Sequence, residues 1–261
     1  MAGGVALNAL ANQRIRESGL VDQLFIQPAS HDAGTALGAA LFCYLSDNPL
    51  GERQEMKTCY LGPEYTRGDI NLATKDVPFK KTEGIQTVTE IVDYLVNGKI
   101  IGIFQGRMEF GPRALGNRSI LADPRDAQMK DTVNHKVKFR ESFRPFAPVI
   151  LEERVGEYFV NGICSPFMTQ TFTATERARR EIPATVHHDN TARIQTVNQN
   201  SNPLLYRIIK LYEQKTGVPV LMNTSLNIAG EPIVCTPADA IKTFTNSGID
   251  VLLMEDVLLT K

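Results

Sequence analysis

Residues 100–122 read IIGIFQGRMEFGPRALGNRSILA, and the fold turns on how this stretch is divided. Ile100 to Phe104 is a short apolar run of buried-strand length, and Ser119 to Ala122 is a second. Between them, Gly106 to Ser119 packs three glycines (Gly106, Gly111, Gly116) and three arginines (Arg107, Arg113, Arg118) into 14 residues. Glycine lets a backbone approach a ligand closely, and arginine makes planar, two-pronged contacts to phosphate or carboxylate. The segment reads either as an anion site or as a Gly-Pro turn whose arginines are solvated.

Upstream, Thr87 to Gly98 has Val88, Ile91, Val92, Leu95 and Val96 on one helical face, with Thr87 and Glu90 spaced as a capping box. Downstream, strands are expected at Phe146 to Leu151, Val218 to Met222 and Val251 to Leu253, with an edge strand at Thr191 to Val197. Helices are expected at Pro124 to Val137, Pro203 to Thr216 and Pro237 to Thr245, each opening on proline after Asp123, Asn202 or Thr236 as cap. Helices and strands mix without strict alternation. That order predicts an α+β (mixed α/β) domain built on a twisted, partly antiparallel sheet.

Before residue 46 the pattern is different. Gly4 to Ser18 reads as a helix stopped by Gly19, Gln23 to Gln27 as a short strand, and Ala33 to Leu45 as a small-residue helix expected to be buried. Residues 46–86 lose periodicity and collect Pro49, Gly51, Gly62, Pro63, Gly68 and Pro78, a linker composition. The expected organisation is a first segment at 1–50, a linker at 51–86 and one domain at 87–261.

Other polar clusters accompany the arginine loop. Lys136, Lys138, Arg140 and Arg144 alternate with Phe139, Phe143 and Phe146, a pattern that suits a phosphate cradle, a base-stacking platform or an ordinary loop with core aromatics. Asn223 to Asn227 follows an expected strand, where amides and hydroxyls orient a carbonyl or a ribose, or simply turn the chain. Gly3, Gly4 and Asn8 stand at a helix start, and Asp32 beside His31 is either a metal ligand or a cap.

Bulk properties narrow the function classes. Lys plus Arg number 28 and Asp plus Glu 29, a formal charge of -1, without the basic excess of a general nucleic-acid binder. No apolar run is long enough for a bilayer and no secretory signal is visible, so the expected compartment is cytoplasmic and no membrane partner is expected. Cys43, Cys59, Cys164 and Cys235 have no metal-ligand spacing and are expected to be reduced and mostly buried. No G-x-S-x-G, P-loop or H-x-x-x-H motif is present.

Four long segments in order, from Gly106, from Phe143 (FRPFAP), from Thr191 (TARIQTV) and from Asn223 (NTSLN), resemble the O-carbamoyltransferases of nodulation-factor and antibiotic biosynthesis. GGVALN from Gly3 and SHDAG from Ser30 extend the resemblance over essentially the whole chain. It implies the end of an actin-like ATPase-fold domain at 1–50, followed by a domain similar to threonylcarbamoyl-adenylate synthases. It implies carbamoyl phosphate and ATP as partners, carbamoyl adenylate as intermediate, and transfer to a hydroxyl acceptor. By motif match, Arg113, Lys138, Arg144, Arg193 and Asn223 fall on the carbamoyl-phosphate and ATP contacts, with Arg113, Lys138 and Arg144 catalytic. Gly3, Gly4 and Asn8 fall on the adenosine stretch and Asp32 on a metal-binding aspartate.

The family's metal site also needs a histidine pair that this sequence lacks, so Asp32 is expected to be a half-site. Magnesium is an expected companion of ATP, and iron or another divalent metal is expected only with the rest of the N-terminal domain. The chain is accordingly expected to be the C-terminal part of a longer protein, completed by that domain, a partner chain or a homodimer. The alternative is a non-catalytic nucleotide or nucleic-acid binding module.

Overall fold

The computed structural model describes residues 1–53, 55–84 and 87–261, Thr87 by its backbone. The capping box expected at Thr87 lies outside the described residues. Helices run α1 Ala9–Glu17, α2 Gly34–Asp47, α3 Arg67–Ala73, α4 Thr87–Val96, α5 Met129–Val133, α6 Val155–Tyr158, α7 Glu176–Glu181, α8 Pro203–Thr216 and α9 Pro237–Thr245. Strands are β1 Lys80–Glu83, β2 Ile101–Phe104, β3 Arg118–Ala122, β4 Ala147–Leu151, β5 Thr171–Thr173, β6 Thr191–Arg193, β7 Gln195–Val197, β8 Val220–Ser225, β9 Val251–Met254 and β10 Val257–Thr260.

Eight strands form one sheet in the order β1-β10-β9-β2-β3-β8-β4-β7, and β5 pairs separately with β6. β2 is parallel to β9 and β4 to β7, while the other pairs are antiparallel. The mixed α/β expectation holds.

Side-chain alternation divides the core. Ile101, Ile103, Leu121, Val251 and Leu253 face a layer made by α4 and α8, while Phe104, Ile120, Ala122, Leu252 and Met254 face α3 and α9. α8 shows why this works: Leu205, Ile208, Ile209 and Tyr212 are buried at i, i+3, i+4 and i+7. Each such side chain contributes roughly 1.5–3 kcal/mol on burial. Asn202 caps the helix by accepting from Leu205 N at 3.1 Å, and Gly217 at φ 76° ends it.

Several expected elements differ. α5 starts at Met129 rather than Pro124, because the Asp123 carboxylate is engaged by Arg125 and by the Tyr212 hydroxyl (2.6 Å) instead of capping. The edge strand at Thr191 to Val197 splits into β6 and β7, which lie in different sheets. The strand expected at Val218 to Met222 is shifted, to Val220–Ser225. The stretch expected to be irregular carries α3, opened by a Thr66–Asp69 capping box, and β1, a charged edge strand paired with β10.

In the first segment, Gly4–Leu7 is a 3-10 turn and α1 begins only after Asn8, whose side chain accepts from Ala11 N. Residues 23–27 form no strand, since among the described residues the backbone there pairs only with the chain's own start, through Gln27 N to Met1 O at 3.2 Å. α2 buries no residue, contrary to expectation. Its small residues permit close packing, yet nothing among the described residues covers it. The four cysteines are free, and only Cys59 is buried.

Candidate functional site

The arginine loop is built from within by a carboxylate. Glu109 is buried, and its Oε1 accepts from the backbone N–H of Leu115 (2.7 Å), Asn117 (2.8 Å) and Arg118 (3.3 Å). Burial raises its pKa, and the backbone donors oppose that rise. Glycines allow the tight path. Gly111 has φ 132° and a Cβ there would stand 3.0 Å from Pro28 O, and at Gly116 (φ 114°) it would meet the Leu205 side chain at 2.6 Å.

The three arginines of the loop then separate by role. Arg118 is fully buried, donates to the carbonyls of Gln105 (2.7 Å) and Asn117 (2.9 Å), and lies over the Phe104 ring at 3.7 Å. Arg107 donates to Leu61 O. Only Arg113 enters a cavity.

That cavity, about 360 Å³, lies where the end of β8 and the start of β4 meet the Arg113 loop and the end of β6. Arg113, Lys138, Arg140, Arg144, Arg193 and Asn223 all line it, and among the described residues no carboxylate does. The structure thus brings together the five residues expected to contact carbamoyl phosphate and ATP. A neighbouring cavity of about 260 Å³ shares Arg113, Arg140, Arg144 and Arg193 and reaches Ala9, Thr171 and His187. Among the described residues, none of these four arginines nor Lys138 has an acidic partner within ion-pair distance.

The cations are held by distinct means. Lys138 ends a π-helical turn, Asn134–Lys138, with Phe139 left-handed after it at φ 46°. Its Nζ donates into Ser225 O (2.6 Å), Ser225 Oγ (3.1 Å), Asn227 Oδ1 (2.8 Å) and Asn227 O (3.1 Å), so it ties down the Asn223–Asn227 loop. Arg140 donates to Asn134 Oδ1 at 2.7 Å and stacks on Phe146. Arg193 Nε is buried and has no partner among the described residues.

Burial without counter-charge depresses Lys138, Arg193, Arg140 and Arg113. Lys138 is pushed down to about 7 by desolvation, then by Arg140 and Arg144. Arg193 falls to about 9 through desolvation, Arg113 and Arg140, and Arg140 to about 10 through desolvation and Arg144. Desolvation lowers Arg113 as well. A doubly charged anion would oppose these shifts, because a nearby negative charge favours the protonated forms.

The remaining expected residues lie apart from this cavity's wall. Asn8 caps α1, whose first residue Ala9 borders the smaller cavity, and Gly3 N donates to Ser30 O at 2.6 Å. Asp32 is exposed and caps no helix with its side chain, while His31 Nδ1 accepts from Ala33 N. Among the described residues no three His, Cys, Asp or Glu side chains cluster as for a metal. His31 and Asp32 offer too few donors to fit one.

Arg140 enters the sequence reading only as one cation of the Lys136–Arg144 block, and Gln195 is not singled out there. Gln195 stands two residues beyond Arg193, a spacing that puts both on one face of an extended chain. Gln195 Nε2 donates to Leu115 O at 2.7 Å, and its Oε1 accepts from Asn223 Nδ2 at 2.7 Å.

A family model described as carbamoyltransferase C-terminus matches residues 92–261, and one described as carbamoyltransferase N-terminus matches residues 1–41. The nodulation protein NolO of Bradyrhizobium diazoefficiens is 42% identical over 100% of this chain and 49% of its own length. The uncharacterized protein sll1178 of Synechocystis sp. is 40% identical over 100% of this chain and 47% of its own. The chain spans about half the length of these curated relatives. A crystal structure of full-length HypF in a phosphate- and nucleotide-bound form covers 69% of this chain and 22% of that chain, with 17% identity and a TM-score of 0.44.

Proposed function

Because this chain belongs to the carbamoyltransferase family, we propose that its cationic cavity binds carbamoyl phosphate and the phosphates of ATP and forms carbamoyl adenylate for transfer to a hydroxyl. The observation carrying this reading is the set of Arg113, Lys138, Arg140, Arg144 and Arg193 around one cavity without a carboxylate. Bringing like charges together in a poorly solvated wall is costly. An anionic ligand supplies the missing counter-charge.

Adenylate formation joins a carbamoyl oxygen to the α-phosphorus and releases pyrophosphate from ATP. Phosphate leaves carbamoyl phosphate, and one water is consumed. Such chemistry depends on positioning and on neutralising charge in the transition state. Arg113, Arg144 and Arg193 have the unengaged guanidinium groups for that work, whereas Lys138 acts from the wall through its hold on Ser225 and Asn227. Gly3, Gly4 and Asn8 serve the adenosine side in this reading, and magnesium would accompany the nucleotide. The acceptor hydroxyl, and a partner chain or second copy that presents it, belong to the same proposal.

The test is ATP–pyrophosphate exchange. Exchange that depends on carbamoyl phosphate is expected, and a nucleotide or nucleic-acid binding module would show none. Arg113→Ala and Arg144→Ala should each weaken carbamoyl-phosphate binding by about 1.5–3 kcal/mol, the range for hydrogen bonds to charged groups. Calorimetry showing unchanged affinity in both variants would remove the anion site.

A further inference from the structure

Asn223 and Gln195 belong to β8 and β7, which flank β4 on either side. Asn223 is in register with Ala147 and Gln195 with Val149. Ala147 and Val149 point to the same face, so the two amide side chains meet across the small Ala147. The register places the pair beside the Arg113 loop, whose Ala114 and Leu115 carbonyls they contact.

The orientation of both amides follows from groups that only accept. Leu115 O accepts at 2.7 Å, so the Gln195 atom facing it is the nitrogen. Gln195 Oε1 therefore turns to Asn223, and the Asn223 atom facing it at 2.7 Å must be its nitrogen, which also meets Ala114 O at 3.3 Å. The Asn223 oxygen is the atom left over. It is buried and has no partner among the described residues, in a residue that is 1% exposed and lines the cavity.

Every charged group of that cavity is a donor, which suits a phosphate. The leftover Asn223 oxygen is an acceptor, which suits an N–H next to the phosphate. We propose that Gln195 is a positioning residue: it locks the Asn223 amide with its oxygen reserved for the amino group of the ligand, so that the cavity prefers a carbamoyl phosphate to the equally sized acetyl phosphate. This inference rests on the cavity being the carbamoyl-phosphate site.

Competition against a bound fluorescent phosphate analogue measures the preference, with inorganic phosphate, acetyl phosphate and carbamoyl phosphate as competitors. Replacing NH2 by CH3 leaves a buried acceptor unmet, so carbamoyl phosphate should compete about tenfold or more better than acetyl phosphate in the wild-type chain. In Gln195→Met the ratio should fall toward one, with inorganic phosphate competing within about threefold of wild type. A purely structural role for Gln195 would lower all three affinities together. Equal competition by the two acyl phosphates in wild type, with phosphate still binding, overturns the inference and leaves the anion site standing. That arm needs no variant. Absence of phosphate binding in wild type instead removes the underlying site, and a folded Gln195→Met that keeps the full preference removes the role of Gln195.

Discussion

At Lys138 two influences oppose each other. The oxygens of Ser225 and Asn227 favour the ammonium, while burial and the guanidiniums of Arg140 and Arg144 push it from 10.5 down to about 7. Its folded value therefore lies below its unfolded one. Between them the unfolded chain holds more protons, so the anion-free protein gains stability as pH rises from about 7 toward 10.5. Anion binding runs the other way, because its electrostatic attraction weakens as Lys138 and then Arg193, at about 9, lose their protons. Sulfate keeps its charge over this range and is the appropriate probe. Its affinity should fall steadily from pH 6 to pH 9, and Lys138→Met should flatten the curve below about pH 8. A wild-type curve already flat would show that the four oxygens hold the proton throughout. Sequence reading reached Lys138, Arg113 and Arg144 as charges in loops. The resemblance singled out Arg113, but spacing alone could not separate it from Arg118, because nothing in the spacing says which guanidinium is spent on Gln105 O and Asn117 O.

Three helix starts carry the same written signal, a capping residue followed by proline, and two obey it. Asn202–Pro203 opens α8 and Thr236–Pro237 opens α9. Asp123–Pro124 opens nothing, since Arg125 and Tyr212 from a distant helix claim its carboxylate. Local chemistry was legible where the side chain had no better tertiary partner. The same limit applies to Thr191 to Val197, an extended run whose break at Ile194 depends on two different sheets. Asn202 joins local and tertiary duties: it caps Leu205 N, accepts from Gln105 Nε2 (3.2 Å), and donates to Asn117 Oδ1 (3.0 Å) and Tyr60 OH (3.1 Å). Asn202→Ala should thus cost more than the roughly 1 kcal/mol of a lost cap, about 2–4 kcal/mol in all. Urea unfolding checks this. A loss near 1 kcal/mol would mean that water replaces Asn202 in the network.

The two helices of the first segment, similar on paper, have opposite fates in the molecule. α1 is docked: Asn12 is fully buried and donates to Thr169 O (2.8 Å) and Ala6 O (2.7 Å), and Arg16 lies over the Phe172 ring at 3.9 Å. Gly111 presses against the carbonyl of Pro28, so the segment also braces the loop that carries Arg113. α2 has no buried residue and leaves Leu41 50% and Phe42 74% exposed. A helix of 14 residues without a packed face is marginal in water, and its amides should open locally at little free-energy cost. Hydrogen exchange read by mass spectrometry should therefore show peptides across Gly34–Asp47 exchanging at least tenfold faster than those across Ala9–Glu17. Dilution sharpens the experiment. Equal protection that disappears at low concentration, alongside a fall in scattering mass, would mean that a second copy covers Leu41 and Phe42. Equal protection that survives dilution in a monomer would mean that α2 is covered in cis, against the exposure seen here.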